Sequence, residues 1–133
     1  MRIETLNRSA DWLKQAEADL AAARDSAVAG HHEWAAFQAQ QSAEKAVKAW
    51  AQAVHGSMRG HSITDILKQL AVSVPVPGAV LDAARELDKV YVTARYPNGF
   101  ASGSPSDYFT AASSQSLVQH AQDILNFCRS QIP

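Results

Sequence analysis

The chain has 133 residues and a mass of 14.3 kDa, which fits a single domain, residues 1–133, whose core needs no disulfide or metal. Its formal net charge of −1, with 47% hydrophobic and 19% charged residues, excludes a disordered tail and a generally basic nucleic-acid binder. A site for an anionic ligand would therefore have to be a local group of basic residues, since the chain as a whole carries no excess of positive charge.

Two long helices are predicted at the start of the chain. Apolar residues recur at helical spacings from Leu6 to a stop near Gly30, and again from near Glu33 to a stop at Gly56. The short turn between them predicts an antiparallel pair. Both apolar stripes are rich in alanine, so we expect close approach of the two helices. Four aromatic residues supply the remaining bulk: Trp12, Trp34, Phe37 and Trp50.

A short third helix and a fourth helix follow. Ser62 and Asp65 match a capping-box pattern that predicts the start of the third helix. The segment 72–77 contains two prolines and cannot continue that helix. A new apolar pattern opens after Gly78 and predicts a fourth helix that runs through Tyr91.

The last helix is marked by its start. Residues 96–105 hold two Pro, two Gly and two Ser, a composition typical of a loop. Ser104 as N-cap, Pro105 at the first helical position and Asp107 at the third then predict a fifth helix that continues through Phe127. The chain is therefore predicted to be all-α, an antiparallel (up-and-down) bundle of about five helices with a four-helix-bundle-like core.

Three polar residues share one face at the end of the fourth helix. Asp88, Tyr91 and Arg95 stand at i, i+3 and i+7, just before the chain breaks. Arg95 has several open interpretations. Its guanidinium suits bidentate contact with phosphate, and it equally suits a buried pair with Asp88 or Asp107. It also suits hydrogen bonding to the carbonyls at the helix end.

Several motifs recur together in one order and spacing. The second helix contains Gln40-Gln41-Ser42-Ala43-Glu44-Lys45-Ala46, Gly60-His61-Ser62-Ile63 precedes the third, and Arg95-Tyr96-Pro97 closes the fourth. Over nearly its whole length the chain resembles the HEPN domain family (higher eukaryotes and prokaryotes nucleotide-binding), in its stand-alone bacterial form. The resemblance implies a helical bundle that dimerises, with a minimal nucleotidyltransferase as partner. It also implies a link to nucleotide binding, RNA cleavage or toxin–antitoxin systems.

Half of the family's nuclease motif is missing. Ribonucleases of the family carry an Arg, then four to six intervening residues, then a His, whereas those His positions after Arg95 hold Phe100, Ala101 and Ser102. Metal-independent RNA cleavage needs a base for the 2′-hydroxyl proton and an acid for the leaving oxygen. Loss of that His removes the expected proton carrier.

The residues and the resemblance together give a candidate ligand site of Arg95, Tyr96, Lys45, His61 and Asp88. Arg95 would anchor a phosphate, while Tyr96 would stack on a base or shape the cleft. Lys45 falls between core positions and either adds a point charge at the rim or lies on a solvated face. His61 precedes a helix N-terminus, where N–H groups favour an anion, and either contacts that anion or packs the turn.

The polar residues around Lys45 have a plainer interpretation. Glu44 and Lys48 stand at i and i+4 of the second helix and are predicted to form an ordinary surface pair. Gln40 and Gln41 either line the rim of the same cleft or lie on a solvated face. The usual phosphate-loop motifs are absent and no set of Cys, His, Asp and Glu has zinc spacing, so neither a cofactor nor a metal is expected.

Three functions are open. The first is a non-catalytic or weakly active homodimer that binds a nucleotide or RNA phosphate near Arg95. This protein would partner a minimal nucleotidyltransferase in a toxin–antitoxin-like system. The second is a metal-independent ribonuclease that uses Arg95 with a displaced base such as His61. The third is a pure dimerisation or interaction module whose Arg95 segment forms the interface.

The expected compartment follows from the thiol and the N-terminus. Cys128 is the only cysteine, which implies a reducing, intracellular setting and a buried structural thiol. No apolar run approaches the ~18 to 20 residues that span a bilayer, and the N-terminus is too polar for a signal peptide. We therefore expect a cytoplasmic protein that does not bind membranes.

Overall fold

Helices make up the regular structure of the chain in the computed structural model, which describes residues 7–56 and 58–133. Two long helices come first, α1 (Ser9–Val28) and α2 (His32–Val54). They are followed by α3 (Ile63–Leu70), α4 (Gly78–Asp88), α5 (Val90–Thr93), α6 (Pro105–Tyr108) and α7 (Ala111–Gln131), with a 3-10 turn at Pro97–Gly99. No strand occurs in these two ranges, which confirms the all-α prediction. The predicted start of the first helix near Leu6 lies outside them.

The bundle is built around α2, which packs against α1, α3, α4 and α7. The turn between α1 and α2 covers residues 29–31, where Gly30 takes a φ of +86° that other residues rarely adopt. A turn this short returns the chain alongside α1, so the antiparallel pairing of the first two helices is confirmed. Contacts of α7 with α1, α2 and α4 complete the four-helix core.

Stripes of alanine bring α1 and α2 close together. Nine alanines on these helices are fully buried: Ala16, Ala23, Ala35, Ala36, Ala39, Ala43, Ala46, Ala49 and Ala51. The hydroxyl of Ser42 donates to the carbonyl of Ala16 at 2.7 Å, a contact that requires the two backbones to lie close to each other. The expected close approach is therefore confirmed.

The aromatic residues predicted to fill the core fall into two groups. Trp50 is 1% exposed and packs edge-to-face on Phe127, with the ring centroids 5.6 Å apart. Trp34 is 51% exposed, so its prediction as core bulk is wrong. Residues two apart on a helix point to different sides, and α2 turns the fully buried Ala36 to the core.

The last two predicted helices are each divided. Only Lys89 separates α4 from α5, and it keeps helical angles, so the predicted fourth helix does run on past Tyr91. The predicted fifth helix is interrupted after α6, where Phe109 is extended and Thr110 caps α7. Thr110 Oγ1 accepts the N–H of Ser113 at 3.2 Å, and the N–H of Thr110 donates to Ser113 Oγ at 2.6 Å. This reciprocal cap is why the prediction of one continuous helix is wrong.

Cys128 lies on α7 with no exposed surface, as predicted. Its burial raises the pKa of the thiol, because a thiolate loses its hydration there. Within the part of the chain that the structure describes, no helix combines the length and the apolar character needed to span a bilayer.

Candidate functional site

Arg95 follows the end of α5, and aromatic rings surround its guanidinium. The guanidinium carbon lies 4.4 Å from the ring centre of Phe37, 4.7 Å from that of Tyr91 and 5.1 Å from that of Tyr96. Each distance is within the range of a cation–π contact. With His61, whose ring stacks on Tyr91, these residues form what we call the Arg95 cluster.

The hydrogen bonds of Arg95 leave part of the guanidinium unpaired. Its Nε donates to the carbonyl of Tyr91 at 2.9 Å, so the predicted bond to a helix-end carbonyl is confirmed. The two terminal nitrogens meet no acceptor among the residues that the structure describes. The predicted pairing with Asp88 or Asp107 is wrong, since both carboxylates bond backbone N–H groups elsewhere. Arg95 is thus a half-buried cation with two free donor groups.

Asp88 caps the N-terminus of α3. Its carboxylate accepts the N–H of Ile63 at 2.9 Å and the N–H of Thr64 at 3.0 Å, and the hydroxyl of Ser62 lies 3.4 Å away. These are the N–H groups that the sequence offered to a phosphate beside His61. A carboxylate of the protein now occupies that position, because the positive end of a helix dipole attracts any nearby anion.

His61 and Arg95 come together on one aromatic ring. The imidazole of His61 stacks on Tyr91 with centroids 4.6 Å apart and an interplanar angle of 19°. The guanidinium of Arg95 contacts the same ring. The sequence left open whether His61 approaches Arg95, and Tyr91 is the side chain that joins them in the structure.

A buried polar network supports His61 from α2. Glu44 is only 5% exposed, and its carboxylate accepts from Lys48 Nζ at 3.0 Å and from Gln40 Nε2 at 3.2 Å. His61 Nδ1 lies 3.2 and 3.3 Å from the two oxygens of Glu44. Gln41 in turn donates to Gln40 Oε1 at 2.7 Å.

The predicted surface pair of Glu44 and Lys48 is therefore wrong, since both side chains are largely buried. The solvated-face interpretation of Gln40 is wrong as well, because Gln40 has no exposed surface. One signal for this burial was present in the sequence. Polar residues at 40, 44 and 48 form an i, i+4, i+8 stripe on a helix whose other faces are rich in alanine.

Lys45 points to a different part of the surface. Its ammonium bonds the carboxylate of Asp19 on α1 at 2.5 Å. It also lines a cavity of about 350 Å³ with residues of α1 and its N-terminal flank: Arg8, Asp11, Trp12 and Gln15. Among the described residues, no contact joins Lys45 to the Arg95 cluster.

The loop after Arg95 is fixed by aromatic packing. Phe100, the first position at which a nuclease His would stand, stacks on Tyr108 with centroids 4.2 Å apart. The hydroxyl of Tyr108 donates to the carbonyl of Ser102 at 2.6 Å. In residues 7–56 and 58–133, no group of three or more His, Cys, Asp and Glu side chains is placed to hold a metal ion.

Comparisons with known proteins agree on one family. The HEPN domain profile matches residues 9–131. A crystal structure from Thermus thermophilus is 38% identical, covers 96% of this chain and 100% of its own, and superposes with a TM-score of 0.92.

Two further crystal structures are similar and carry the HEPN name. An archaeal HEPN homologue is 39% identical over 96% of this chain and 100% of its own, with a TM-score of 0.82. A HEPN domain protein from Thermotoga maritima is 33% identical over 90% of this chain and 95% of its own, with a TM-score of 0.75. No curated protein sequence matches the chain.

Proposed function

The chain belongs to the HEPN domain family, and from this membership and the geometry above we propose that it binds the phosphate of a nucleotide or of RNA at the Arg95 cluster. The unpaired guanidinium of Arg95 is the observation that carries the proposal. Its Nε is bonded, while its two terminal nitrogens face no acceptor of the described chain. A guanidinium with two adjacent free donor groups matches the oxygens of a phosphate.

The charges near Arg95 favour an anionic ligand. Glu44 is paired with Lys48, and Asp88 is held by backbone N–H groups of α3. Arg95 has no such partner among the described residues, so no acid of that part of the chain compensates its positive charge. A bound phosphate would neutralise a cation that is already partly removed from water, which strengthens the attraction.

The aromatic rings suit the rest of a nucleotide. Tyr96 is 50% exposed and lies beside Arg95, so a base could stack on its ring while the phosphate contacts the guanidinium. Lys45 and Asp88 both have protein partners, and we leave them outside the ligand site that we propose.

Isothermal titration with ATP, GTP and a short RNA tests the proposal. Arg95→Ala should weaken binding about 10- to 100-fold, the value of a charge-assisted hydrogen bond of about 1.5 to 3 kcal/mol. Arg85→Ala is the matched control, because Arg85 is an exposed arginine of α4 that pairs with Asp82 on the surface. Absence of binding by the wild type, or equal loss in both variants, would rule out the ligand role of Arg95.

The proposal extends to assembly and location. We propose a cytoplasmic homodimer that partners a minimal nucleotidyltransferase in a toxin–antitoxin-like system. Two exposed apolar side chains support an interface there, Tyr96 in the Arg95 cluster and Val92 on α5. Analytical ultracentrifugation of the wild type and Arg95→Ala separates the interaction-module alternative. That alternative requires Arg95→Ala to shift the monomer–dimer balance without changing any ligand affinity.

The contact of His61 and Arg95 with one ring supports a second candidate, a metal-independent ribonuclease. In this reaction the 2′-oxygen attacks phosphorus while His61 takes its proton, which forms a 2′,3′-cyclic phosphate. The bond from phosphorus to the 5′-oxygen breaks, and the leaving 5′-oxygen takes a proton from water. Arg95 would stabilise the charge that develops on the phosphoryl oxygens. RNA incubated with the protein in EDTA should then be cleaved by the wild type and not by His61→Ala or Arg95→Ala. Intact RNA in the wild-type sample would dismiss this candidate.

A further inference from the structure

Glu44 is a buried carboxylate on which three donor groups converge. Gln40 and Lys48 approach it from its own helix, at i−4 and i+4. The third contact, from His61 Nδ1, comes from the loop before α3. Each helical partner bonds one oxygen of the carboxylate, and the contact with His61 fixes the orientation of the imidazole.

The contact determines which nitrogen of His61 carries the hydrogen. The ammonium of Lys48 lies 3.0 Å from Glu44 Oε2 and stabilises the ionised carboxylate, which can only accept hydrogen bonds. Nδ1 of a neutral His61 must then be the donor, and Nε2 keeps its lone pair. Histidine free in water prefers the opposite arrangement, with the hydrogen on Nε2. Stacking on Tyr91 fixes the plane of the ring as well.

We propose that Glu44 is a positioning residue, which holds neutral His61 with its hydrogen on Nδ1 so that Nε2 accepts a hydrogen bond from a ribose hydroxyl of the ligand. The inference rests on the proposed binding of a nucleotide or RNA at the Arg95 cluster. In addition to phosphate binding, it assigns the selection of ribose over deoxyribose to His61, which Glu44 orients.

The placement of the groups supports a sugar contact. The His61 side chain is 58% exposed, although Nδ1 is held by a buried acid. Its ring and the guanidinium of Arg95 lie 4.6 Å and 4.7 Å from the centre of Tyr91. In the binding mode that we propose, the phosphate contacts Arg95, the base stacks on Tyr96, and the ribose that joins them is directed toward Tyr91, the ring that Arg95 and His61 share. The 2′-hydroxyl is the group by which a protein distinguishes RNA from DNA.

The tautomer of His61 can be measured in the wild-type protein. The measurement is NMR of protein labelled with ¹⁵N-histidine, at about two pH units above the ordinary histidine pKa of about 6.5. Two-bond and three-bond correlations between the ring nitrogens and the carbon-bound ring hydrogens identify the nitrogen that carries the hydrogen. The His61 signal is assigned by its loss in His61→Asn. We expect the hydrogen on Nδ1 in the wild type. A hydrogen on Nε2 would overturn the proposal, and this test needs no variant of Glu44.

Binding then tests the sugar contact. The probes are a ten-nucleotide adenylate single strand as RNA and the same sequence as DNA. We expect the wild type to bind RNA about tenfold more tightly, as one hydrogen bond allows, and Glu44→Gln and His61→Ala to lose that preference to the same extent. Glu86→Gln is the matched control, because Glu86 is an exposed acid of α4 that pairs with Lys89.

The outcomes separate this inference from the function on which it rests. Equal affinity of the wild type for RNA and DNA, or an undiminished RNA preference in Glu44→Gln, would refute the ribose contact while leaving phosphate binding intact. Absence of binding to either strand would refute the proposed function, and the tautomer would still decide whether Glu44 orients His61.

Discussion

Asp88 offers the sharpest test of how this fold is held together. Its carboxylate lies on α4 and accepts the first two N–H groups of α3. Ile63 is fully buried and Thr64 nearly so, which keeps water from replacing the carboxylate. Asp88→Ala should therefore leave two buried N–H groups without an acceptor. It also removes the negative charge from the positive end of the α3 dipole.

The expected loss follows from these contacts. Two hydrogen bonds to a charged group, at about 1.5 kcal/mol each, give about 3 kcal/mol of unfolding free energy. That is a large share of the roughly 5 to 15 kcal/mol that stabilises an ordinary domain. Asp88→Asn keeps one acceptor oxygen and should lose about half as much. Ser62 continues to cap Asp65 in both variants, so α3 should still form.

Urea unfolding followed by circular dichroism at 222 nm measures this loss, provided that the slope with urea stays constant between variants. Asp82→Ala is the control, because Asp82 is an exposed acid of the same helix in a surface pair with Arg85 and should cost less than about 0.5 kcal/mol. A loss in Asp88→Ala no larger than that of the control would refute the capping role. Asp88 would then return to the candidate ligand residues.

Two further predictions concern Cys128 and the loop after Arg95. Cys128 should not react with Ellman's reagent until urea unfolds the chain. Burial raises the pKa of the Cys128 thiol above the ordinary 9.0, so above pH 9 the thiol ionises in the unfolded chain and stays protonated in the folded one. The free energy of unfolding should therefore be unaffected by this group below pH 9. Above pH 9 it should fall by up to about 1.4 kcal/mol per pH unit relative to Cys128→Ala. Gly99→Ala places a Cβ 2.9 Å from Thr93 Cγ2 and should lower stability by about 1 kcal/mol in urea unfolding. The double variant with Thr93→Ser should recover that loss, and no recovery would contradict the steric explanation.

Local signals in the sequence predicted the helices well, because such signals act within a few residues. The alanine stripes predicted the close pairing of α1 and α2, and the pattern from Ser62 to Asp65 predicted the cap of α3. The error at the last helix has a local cause too. Thr110 and Ser113 form a cap whose third position is Ser, whereas the usual capping box has Glu or Gln there.

Burial on α2 could not be predicted from its periodicity alone. Glu44 and Lys48 have the spacing of a surface ion pair, and an isolated helix would expose both. In the fold the loop with His61 contacts Glu44, and Lys48 lies over the ring of Trp12 on α1. Which side of a helix a distant loop covers depends on contacts between residues far apart in the chain, which a local pattern does not contain.

For the candidate site too, the sequence and the tertiary structure each determine a different part. Its Arg-Tyr-Pro segment and the Gln-Gln-x-Ala-Glu-Lys run can be recognised in the sequence, and by themselves they determine the family and the all-α fold. Only the tertiary structure decided which of the predicted residues meet. His61 and Arg95 converge on Tyr91, Lys45 turns to Asp19, and Asp88 turns to α3. The physical reason is that each charged side chain bonds the nearest opposite charge or dipole in the folded chain, and folding alone determines which one is nearest.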